Sequence, residues 1–379
     1  MSDVAAVDEL GRALGVPGRD PLAASRTPDD PAIDVLCAGT VFYDLVFTGL
    51  DGPPEPGQER WTAGMGCSPG GVANLAVALR RLGLRTSMAA CFSRDQYGDY
   101  CWDTLCAQEG VDLTRSRRCP GWHSPVTVSM AYDGDRALVT HGHQPALDAD
   151  RLLADPPRAR AAVVSLGDEP TGWARTAAAT GTLVLADVGW DPSGRWSPQV
   201  LEELDYCHAF LPNDAEAMHY TRTDNPRAAL SRLAEHVPVA VVTRGSQGAV
   251  AIDQTTGEVV EVPGVPVAAL DTTGAGDVFL AGFTTATLAG WPLVHRVRFA
   301  TLTAALAVRH FGGSLSAPGW ADVEQWWRSV SLAARRDPGA AQLADAFAFL
   351  PGVVPPPGPD ERQPRRASVT IGFDEADRP

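Results

Sequence analysis

The chain is predicted to fold as an α/β protein with a mainly parallel sheet, crossover helices and a small additional β-sheet. Three observations predict this fold. Short β-rich runs alternate with helical patterns along most of the 379 residues, no internal repeat is visible, and one β-hairpin interrupts the alternation. Because 45% of the residues are hydrophobic, the chain can bury a large core.

The first strand is expected at Asp34 to Ala38, and residues 41–50 read as further strand. Residues 72–83 give the clearest helix, since apolar residues fall on one stripe and Gly83 follows where a helix stop belongs. The hairpin is expected at 127–141, where Asp133-Gly134 separates two alternating runs. A hairpin inserted among α/β units predicts a β lid beside the main sheet.

The second half of the chain supplies the remaining strands and two long helices. The last two strands should be antiparallel, because only residues 244–247 join them. Helical patterns follow at 278–288 and 294–310. The expected strands lie at 161–166, 182–188, 208–212, 239–243 and 248–252.

We expect one catalytic domain at residues 32–335, between a polar N-terminal tail at 1–31 and a Pro-rich C-terminal tail at 336–379. The segment PPPGPDERQPRR near the C-terminus has too little apolar surface to order itself. Within the domain, the lid should comprise about 40–65 and 122–142.

The charged residues exclude several functions. All 31 basic residues are arginine, which excludes the lysine-dependent P-loop kinases, protein kinases and Schiff-base enzymes. The formal net charge of −15 argues against nucleic acid or an anionic membrane as a general partner. A small neutral substrate fits this composition better.

The cysteines and histidines predict neither disulfides nor a metal centre. Seven cysteines without a CxxC pair read as buried reduced thiols, which favours a cytoplasmic location. The N-terminus has no signal-peptide pattern, and no run approaches the roughly 18 apolar residues of a membrane span. The eight histidines show no metal-ligand spacing, so solvated or core histidines are expected.

The most specific local pattern is Asp271-Thr-Thr-Gly-Ala-Gly-Asp277, between a strand-like run and an apolar helix. Glycines at a helix start let backbone N–H groups face an anion, where the helix dipole adds positive charge. Asp277 in the first turn is placed to take a proton from an alcohol that attacks a phosphoryl group. Helix capping is the alternative, and the complete seven-residue pattern favours catalysis.

This pattern resembles the second signature of the ribokinase-like (PfkB) carbohydrate kinases, and Pro69-Gly-Gly-Val-Ala-Asn74 with the helix after it is similar to their first. The resemblance spans most of residues 34–320. It implies a three-layer α/β/α sandwich with a β lid, and ATP-dependent phosphorylation of a sugar or sugar-like alcohol. Asp277 would be the general base and the backbone of Gly274, Ala275, Gly276 and Asp277 the anion hole.

The resemblance also assigns binding residues. For the substrate they are Asp44, whose carboxylate can accept from two sugar hydroxyls, and Gly70, Gly71 and Asn74. Asn213 and Glu216, in a motif similar to the family's PN..E, would organise Mg²⁺ partly through water, although the same spacing also forms a helix capping box. The nucleotide would contact Thr243, Gly245 and Gly313, and a monovalent cation such as K⁺ would contact Asp271 and Thr273.

Departures from the family pattern bear on the substrate. Asp191 stands where several sugar and sugar-acid kinases carry an arginine, which favours a neutral sugar or nucleoside. Two other functions stay open. A nucleoside kinase would need an aromatic wall, which Phe42, Tyr43 and Trp61 could supply, and a kinase fold without activity could act as a sensor or scaffold. The family resemblance also raises a homodimer formed through the lid.

Overall fold

A computed structural model describes residues 18–132, 135–145, 147–167 and 170–358, so the expected hairpin turn Asp133-Gly134 lies outside the described residues. The strands are β1 Ile33–Ala38, β2 Val41–Thr48, β3 Gly64–Gly71, β4 Thr86–Ala89, β5 Cys91–Phe92, β6 Arg117–Arg118, β7 Val126–Tyr132, β8 Asp135–His141, β9 Ala159–Leu166, β10 Leu183–Val188, β11 Ala209–Phe210, β12 Val239–Thr243, β13 Ala249–Asp253 and β14 Glu258–Val262.

The α-helices are α1 Val72–Arg81, α2 Gln96–Asp103, α3 Ala149–Leu152, α4 Gly172–Ala179, α5 Gln199–Glu202, α6 Asp214–Thr221, α7 Pro226–Leu233, α8 Ala275–Leu288, α9 Leu293–Ala307, α10 Trp320–Ala333, α11 Pro338–Ala346 and α12 Leu350–Val353. None of these described helices is both long and apolar enough to cross a bilayer.

Eight strands form the main sheet, in the order β14-β13-β12-β11-β10-β9-β1-β4. The neighbours from β4 to β12 are parallel, whereas β12–β13 and β13–β14 are antiparallel, as expected for β12 and β13. Because parallel strands end at the same edge, the loops after β10, β11 and β12 are neighbours. That edge is where the residues predicted to bind phosphate groups should meet.

The sheet lies between two hydrophobic cores. On β1, Val35 and Cys37 belong to the core under α1, α8, α9 and α10, whereas Leu36 belongs to the core under α4, α6 and α7. Successive side chains of a strand point to opposite faces, so a strand covered on both faces reads as one continuous apolar run. The predicted three-layer α/β/α sandwich is therefore confirmed.

The lid is a four-stranded sheet in the order β3-β2-β7-β8. Strand β2 pairs antiparallel with β3 and parallel with β7, and β7 and β8 form the expected antiparallel pair. The lid packs on the main body through a small cluster of Val46, Phe311 and Leu315. A Cβ at Gly66 would overlap the Phe311 ring, so glycine is needed at that position of β3.

Both expected tails contain folded residues. Leu22 is buried, and Arg19 donates to the Pro355 carbonyl at 3.2 Å and to Glu324 at 2.9 Å. Near the other end, α11 and α12 bury Phe347 and Leu350. The helical spacing of apolar residues at 340, 343, 347 and 350 explains this packing, which the downstream prolines obscure in the sequence. The described part of 336–358 is thus largely helical.

The seven cysteines are all free thiols in the structure, and all except the half-buried Cys67 are buried. Their burial is as expected from the sequence.

Candidate active site

The two glycine-rich patterns meet at the N-termini of α1 and α8. The Asn74 amide, at the third residue of α1, donates from Nδ2 to Oδ2 of Asp277 at 3.0 Å. Gly274 precedes α8 in the left-handed conformation, with φ of 74°, and a Cβ there would lie 3.1 Å from Cγ of Asn74. A side chain at 274 would therefore both strain the turn and push Asn74 away from Asp277.

The environment of Asp277 suits a base that works near neutral pH. Burial raises the pKa of its carboxyl group from 3.8 to about 6, and the hydrogen bond from Asn74 opposes this rise. A catalytic base with a pKa close to the working pH combines sufficient ionised fraction with useful basicity.

The start of α8 supplies backbone N–H groups beside Asp277. The first residues of a helix have no intrahelical acceptor for these groups, and the helix dipole makes that end positive. Within this set, the Ala275 N–H donates to the Thr272 carbonyl at 3.2 Å. One of the N–H groups expected to bind the anion is therefore already hydrogen-bonded within the turn. Gly276 and Asp277 follow it in the first turn of α8.

Asp44 and Gly70 lie next to each other on paired lid strands. Asp44 is buried on β2, with Ser68 opposite it on β3, and a Cβ at Gly70 would overlap its carboxylate. At Gly71, φ is 63° and a Cβ would overlap the Thr40 carbonyl. The glycine pair thus lets the Asp44 carboxylate lie directly over the backbone that leads into α1.

Two buried polar atoms flank the Gly313 loop. Oδ1 of Asn74 and Oγ of Ser68 are buried and make no hydrogen bond with the described residues. A Cβ at Gly313 would lie 2.9 Å from this Asn74 oxygen and 3.6 Å from the Ser68 hydroxyl. Unsatisfied buried polar atoms are rare in native proteins, so this pair indicates a binding position for a hydroxyl-bearing molecule or water. Ser68 was not among the residues predicted from the sequence.

Asp271 holds the loop 271–274 against the Gly313 loop. Its Oδ1 accepts from the N–H of Thr273 at 2.9 Å and from its hydroxyl at 2.6 Å. Its Oδ2 accepts from the N–H of Gly312 at 3.1 Å. The two residues expected to contact a monovalent cation, Asp271 and Thr273, are therefore hydrogen-bonded to each other. Both oxygens of the Asp271 carboxylate already accept hydrogen bonds from the two loops.

The capping box predicted as the alternative for the PN..E motif is present. Oδ1 of Asn213 accepts from the N–H of Glu216 at 2.9 Å, and Oε2 of Glu216 accepts from the N–H of Asn213 at 3.0 Å. Asn213 also pairs with Thr243, so the expected metal and nucleotide residues are neighbours at the sheet edge. Glu216 is buried, and this burial raises its pKa.

Asp187, near the end of β10, joins this group. Burial and the negative charges of Glu216 and Asp277 raise its pKa well above the ordinary value. Asp187 is thus repelled by both other carboxyl groups, and a hard divalent cation such as Mg²⁺ bound beside it would relieve this repulsion. Asp187 was not among the residues predicted from the sequence, although a carboxylate at the end of a buried strand was the available signal.

Two other predicted residues, Gly245 and Asp191, take part in local turns. Gly245 has φ of 52° and begins a short 3₁₀ turn, beside Arg244, which pairs with Glu261 at 2.9 Å. Asp191 caps its own loop, accepting from the N–H of Trp196 at 2.7 Å.

The aromatic residues considered for a nucleoside base do not form one wall. Tyr43 packs against the rings of Tyr97 and Tyr100, with centroids 5.1 and 5.3 Å away. Trp61 is 87% exposed. Of the three, Phe42 lies near the glycine pair, because its ring is the neighbour that a Cβ at Gly71 would meet.

Comparison with known proteins identifies the family of this chain. Residues 32–320 match the pfkB family carbohydrate kinases. The chain belongs to this family. A nucleoside kinase of Methanothermobacter thermautotrophicus is 28% identical over 294 residues, 75% of this chain and 92% of that protein. A fructokinase of Klebsiella pneumoniae is 32% identical over 236 residues, 57% of this chain and 75% of that protein.

A solved structure shares the fold of this pfkB-family chain. The Arabidopsis thaliana ribokinase complexed with ribose and ATP superposes with a TM-score of 0.65 at 23% identity, covering 78% of this chain and 98% of that one. The chain is therefore a kinase with the ribokinase fold, which phosphorylates a sugar or a nucleoside at the expense of ATP.

Proposed function

We propose that Asp277 is the general base of this kinase and that Asn74 positions it. The observation that carries the proposal is the 3.0 Å hydrogen bond between the two side chains, made where burial raises the pKa of Asp277 to about 6. In the reaction, Asp277 takes the proton of the acceptor hydroxyl as that oxygen attacks the γ-phosphorus of ATP. The bond from the γ-phosphorus to the bridging oxygen breaks, and ADP leaves.

The acceptor would lie between the lid and the start of α1. Asp44 accepts hydrogen bonds from two of its hydroxyls, and Gly70 and Gly71 keep the space above the backbone open. Oδ1 of Asn74 and Oγ of Ser68, two buried atoms that have no partner among the described residues, would bind a further hydroxyl. In this arrangement Asn74 contacts both the acceptor and the base.

The phosphate groups would lie at the sheet edge. The N–H groups of Gly274, Ala275, Gly276 and Asp277 face the transferred phosphoryl group, with the Ala275 N–H exchanging its weak bond to Thr272 for the anion. Thr243, Gly245 and Gly313 approach the nucleotide. Asp187 and Glu216 would hold Mg²⁺, with Asn213 keeping Glu216 in place. Magnesium bound there would neutralise charge on the phosphate oxygens.

The substrate is proposed to be a neutral sugar or sugar-like alcohol, since the Asp44 carboxylate can accept from hydroxyls and Asp191 stands where several relatives carry an arginine that would attract an anion. A nucleoside is the second candidate, favoured by the position of Phe42 beside the glycine pair. Release of ADP from MgATP should be measured with ribose, fructose, adenosine, other nucleosides and sugar acids. Turnover on free sugars alone would exclude the nucleoside, and MgATP binding without turnover on any compound would favour a sensor or scaffold.

Three further properties belong to the proposal. K⁺ would bind beside Asp271 and Thr273, and replacing K⁺ by Na⁺ in the assay would then lower the rate. Two chains would dimerise through the lid, whose Leu138 and Val139 are 53% and 60% exposed, as light scattering can measure. The free cysteines favour the cytoplasm, which fractionation of the source cells would test.

A further inference from the structure

Three histidines from the two ends of the β7–β8 pair, one before β7 and two at the end of β8, converge at the base of the lid. His123 precedes β7, His141 ends β8, and His143 follows it. The register of this antiparallel pair sets Val126 opposite His141, which brings the start of β7 to the end of β8. Their ring centroids are 5.1 Å apart for 123–141, 5.2 Å for 123–143 and 5.3 Å for 141–143.

The spacing fits a metal ion. One ring nitrogen from each histidine lies within 4.8 Å of the other two, the one group of this kind found among the described residues. Nitrogens bound to one tetrahedral Zn²⁺ are about 3.4 Å apart, given Zn–N bonds of about 2.0–2.1 Å. His141 and His143 are exposed, so their side chains can rotate to close the remaining gap. Three ligands leave the fourth position for water.

Neighbouring groups orient the histidines as a metal site requires. Nδ1 of His123 is 3.2 Å from the Ser124 carbonyl, which can only accept, so the proton of neutral His123 is on Nδ1 and Nε2 keeps its lone pair. Nε1 of Trp122 donates to the His143 carbonyl at 2.9 Å and holds that backbone beside the loop of His123. The carboxylate of Asp95 interacts electrostatically with His123 and adds negative charge beside the cluster.

The position of the cluster gives such a site a mechanical role. The chain enters β7 of the lid through the segment that carries His123, and it leaves β8 through the segment that carries His141 and His143. We propose that His123, His141 and His143 bind a divalent transition-metal ion of the zinc class, which ties these two connections together and stiffens the base of the lid. Neutral imidazole ligands suit Zn²⁺ and exclude Mg²⁺.

The test uses the full-length chain without an affinity tag, freed of metal with a chelator. Calorimetry with ZnCl₂ should show one equivalent bound. His141→Ala and His143→Ala should each weaken binding by at least about 10–100-fold, because each removes a direct ligand and loss of an outer partner already costs that much. The matched control is His236→Ala, which removes an exposed histidine far from the cluster in sequence.

Absence of saturable Zn²⁺ binding, or binding that survives in both single variants, would overturn the proposal. The role in the lid has its own readout. Backbone hydrogen exchange in 126–132 should slow when Zn²⁺ is added to the wild type and should stay unchanged in His143→Ala. Equal exchange with and without Zn²⁺ in the wild type would show that the ion does not link the two connections of the lid. Neither measurement depends on the kinase reaction, so the two proposals fail independently.

Discussion

Replacing Asp277 by asparagine should slow catalysis severely and stabilise the fold. Asparagine keeps the shape and still accepts from Asn74, but it can neither take the proton nor ionise. Loss of a positioned base costs about 10²–10⁴ in rate, so kcat should fall by that factor while MgATP binding persists. Below about pH 6, kcat/KM of the wild type should fall as Asp277 becomes protonated. Any residual activity of the variant should not show this fall at low pH.

The gain in stability follows from the same pKa. Burial raises it from 3.8 to about 6, so the folded protein binds this proton more tightly than the unfolded chain does. Since a tenfold change in proton affinity corresponds to about 1.4 kcal/mol, the ionised carboxylate costs the folded state up to about 3 kcal/mol above pH 6. The cost is absent below 3.8 and grows as pH rises through this window. The advantage of Asp277→Asn should therefore be largest at pH 8.

Urea unfolding at pH 8 and pH 5 measures this difference, with the exposed Asp103→Asn as the matched control. The free energy of unfolding of Asp277→Asn should exceed that of the wild type by more at pH 8 than at pH 5, and this change with pH should be larger than the one measured for the exposed Asp103→Asn. An equal difference at both pH values would refute the claim that burial raises the pKa of Asp277. A kcat within tenfold of the wild type would refute the role of Asp277 as base.

Three other changes test the surrounding structure. Gly70→Ala should displace Asp44 at a cost of about 1–3 kcal/mol and raise KM for the acceptor but not for ATP, and equal effects on both would contradict the assignment. Asn74→Ala removes the bond that lowers the pKa of Asp277, so the acid limb of the pH–rate profile should move above 6, whereas an unchanged midpoint would exclude that coupling. Arg81→Met breaks a pair with Glu109 in which the side chains are 4% and 7% exposed, and it should destabilise by about 3–5 kcal/mol in urea unfolding. The exposed pair of Arg232 with Glu235 is the control, and Arg232→Ala should cost less than about 0.5 kcal/mol.

The sequence predicts the elements whose patterns report burial directly. The helix after the glycine pair was expected at 72–83 and occupies Val72–Arg81, because an apolar stripe of helical period is needed to cover the sheet. The same holds for β1, β9 and β10, whose apolar runs reflect two covered faces.

Strand β3 was less predictable. Its sequence, GMGCSPGG, reads as a turn, yet it pairs along the whole of β2. Glycine is present there because the Phe311 ring and the Asp44 carboxylate approach the backbone, and these contacts come from distant parts of the chain. The position of Ser68 in the site depended on recognising this strand.

The candidate site was predictable where one local motif holds several groups together. Asp277 and the glycines before it lie within seven residues of sequence, and the structure places them at the expected helix start. Asp187 and the histidines of the lid acquire their neighbours only through strand order and register. Their spacing along the chain is set by the intervening elements and carries no ligand pattern.

The folded segments near the two ends have a consequence for chain topology. Gly18 and Gly358 touch, since a Cβ at Gly358 would overlap the Gly18 carbonyl. A short peptide could therefore link these two positions directly, with new ends opened in the exposed turn at 254–257 between β13 and β14. Such a circular permutant should keep its core and its kinase site, because the order in which the elements are synthesised would change while every contact between them stayed the same.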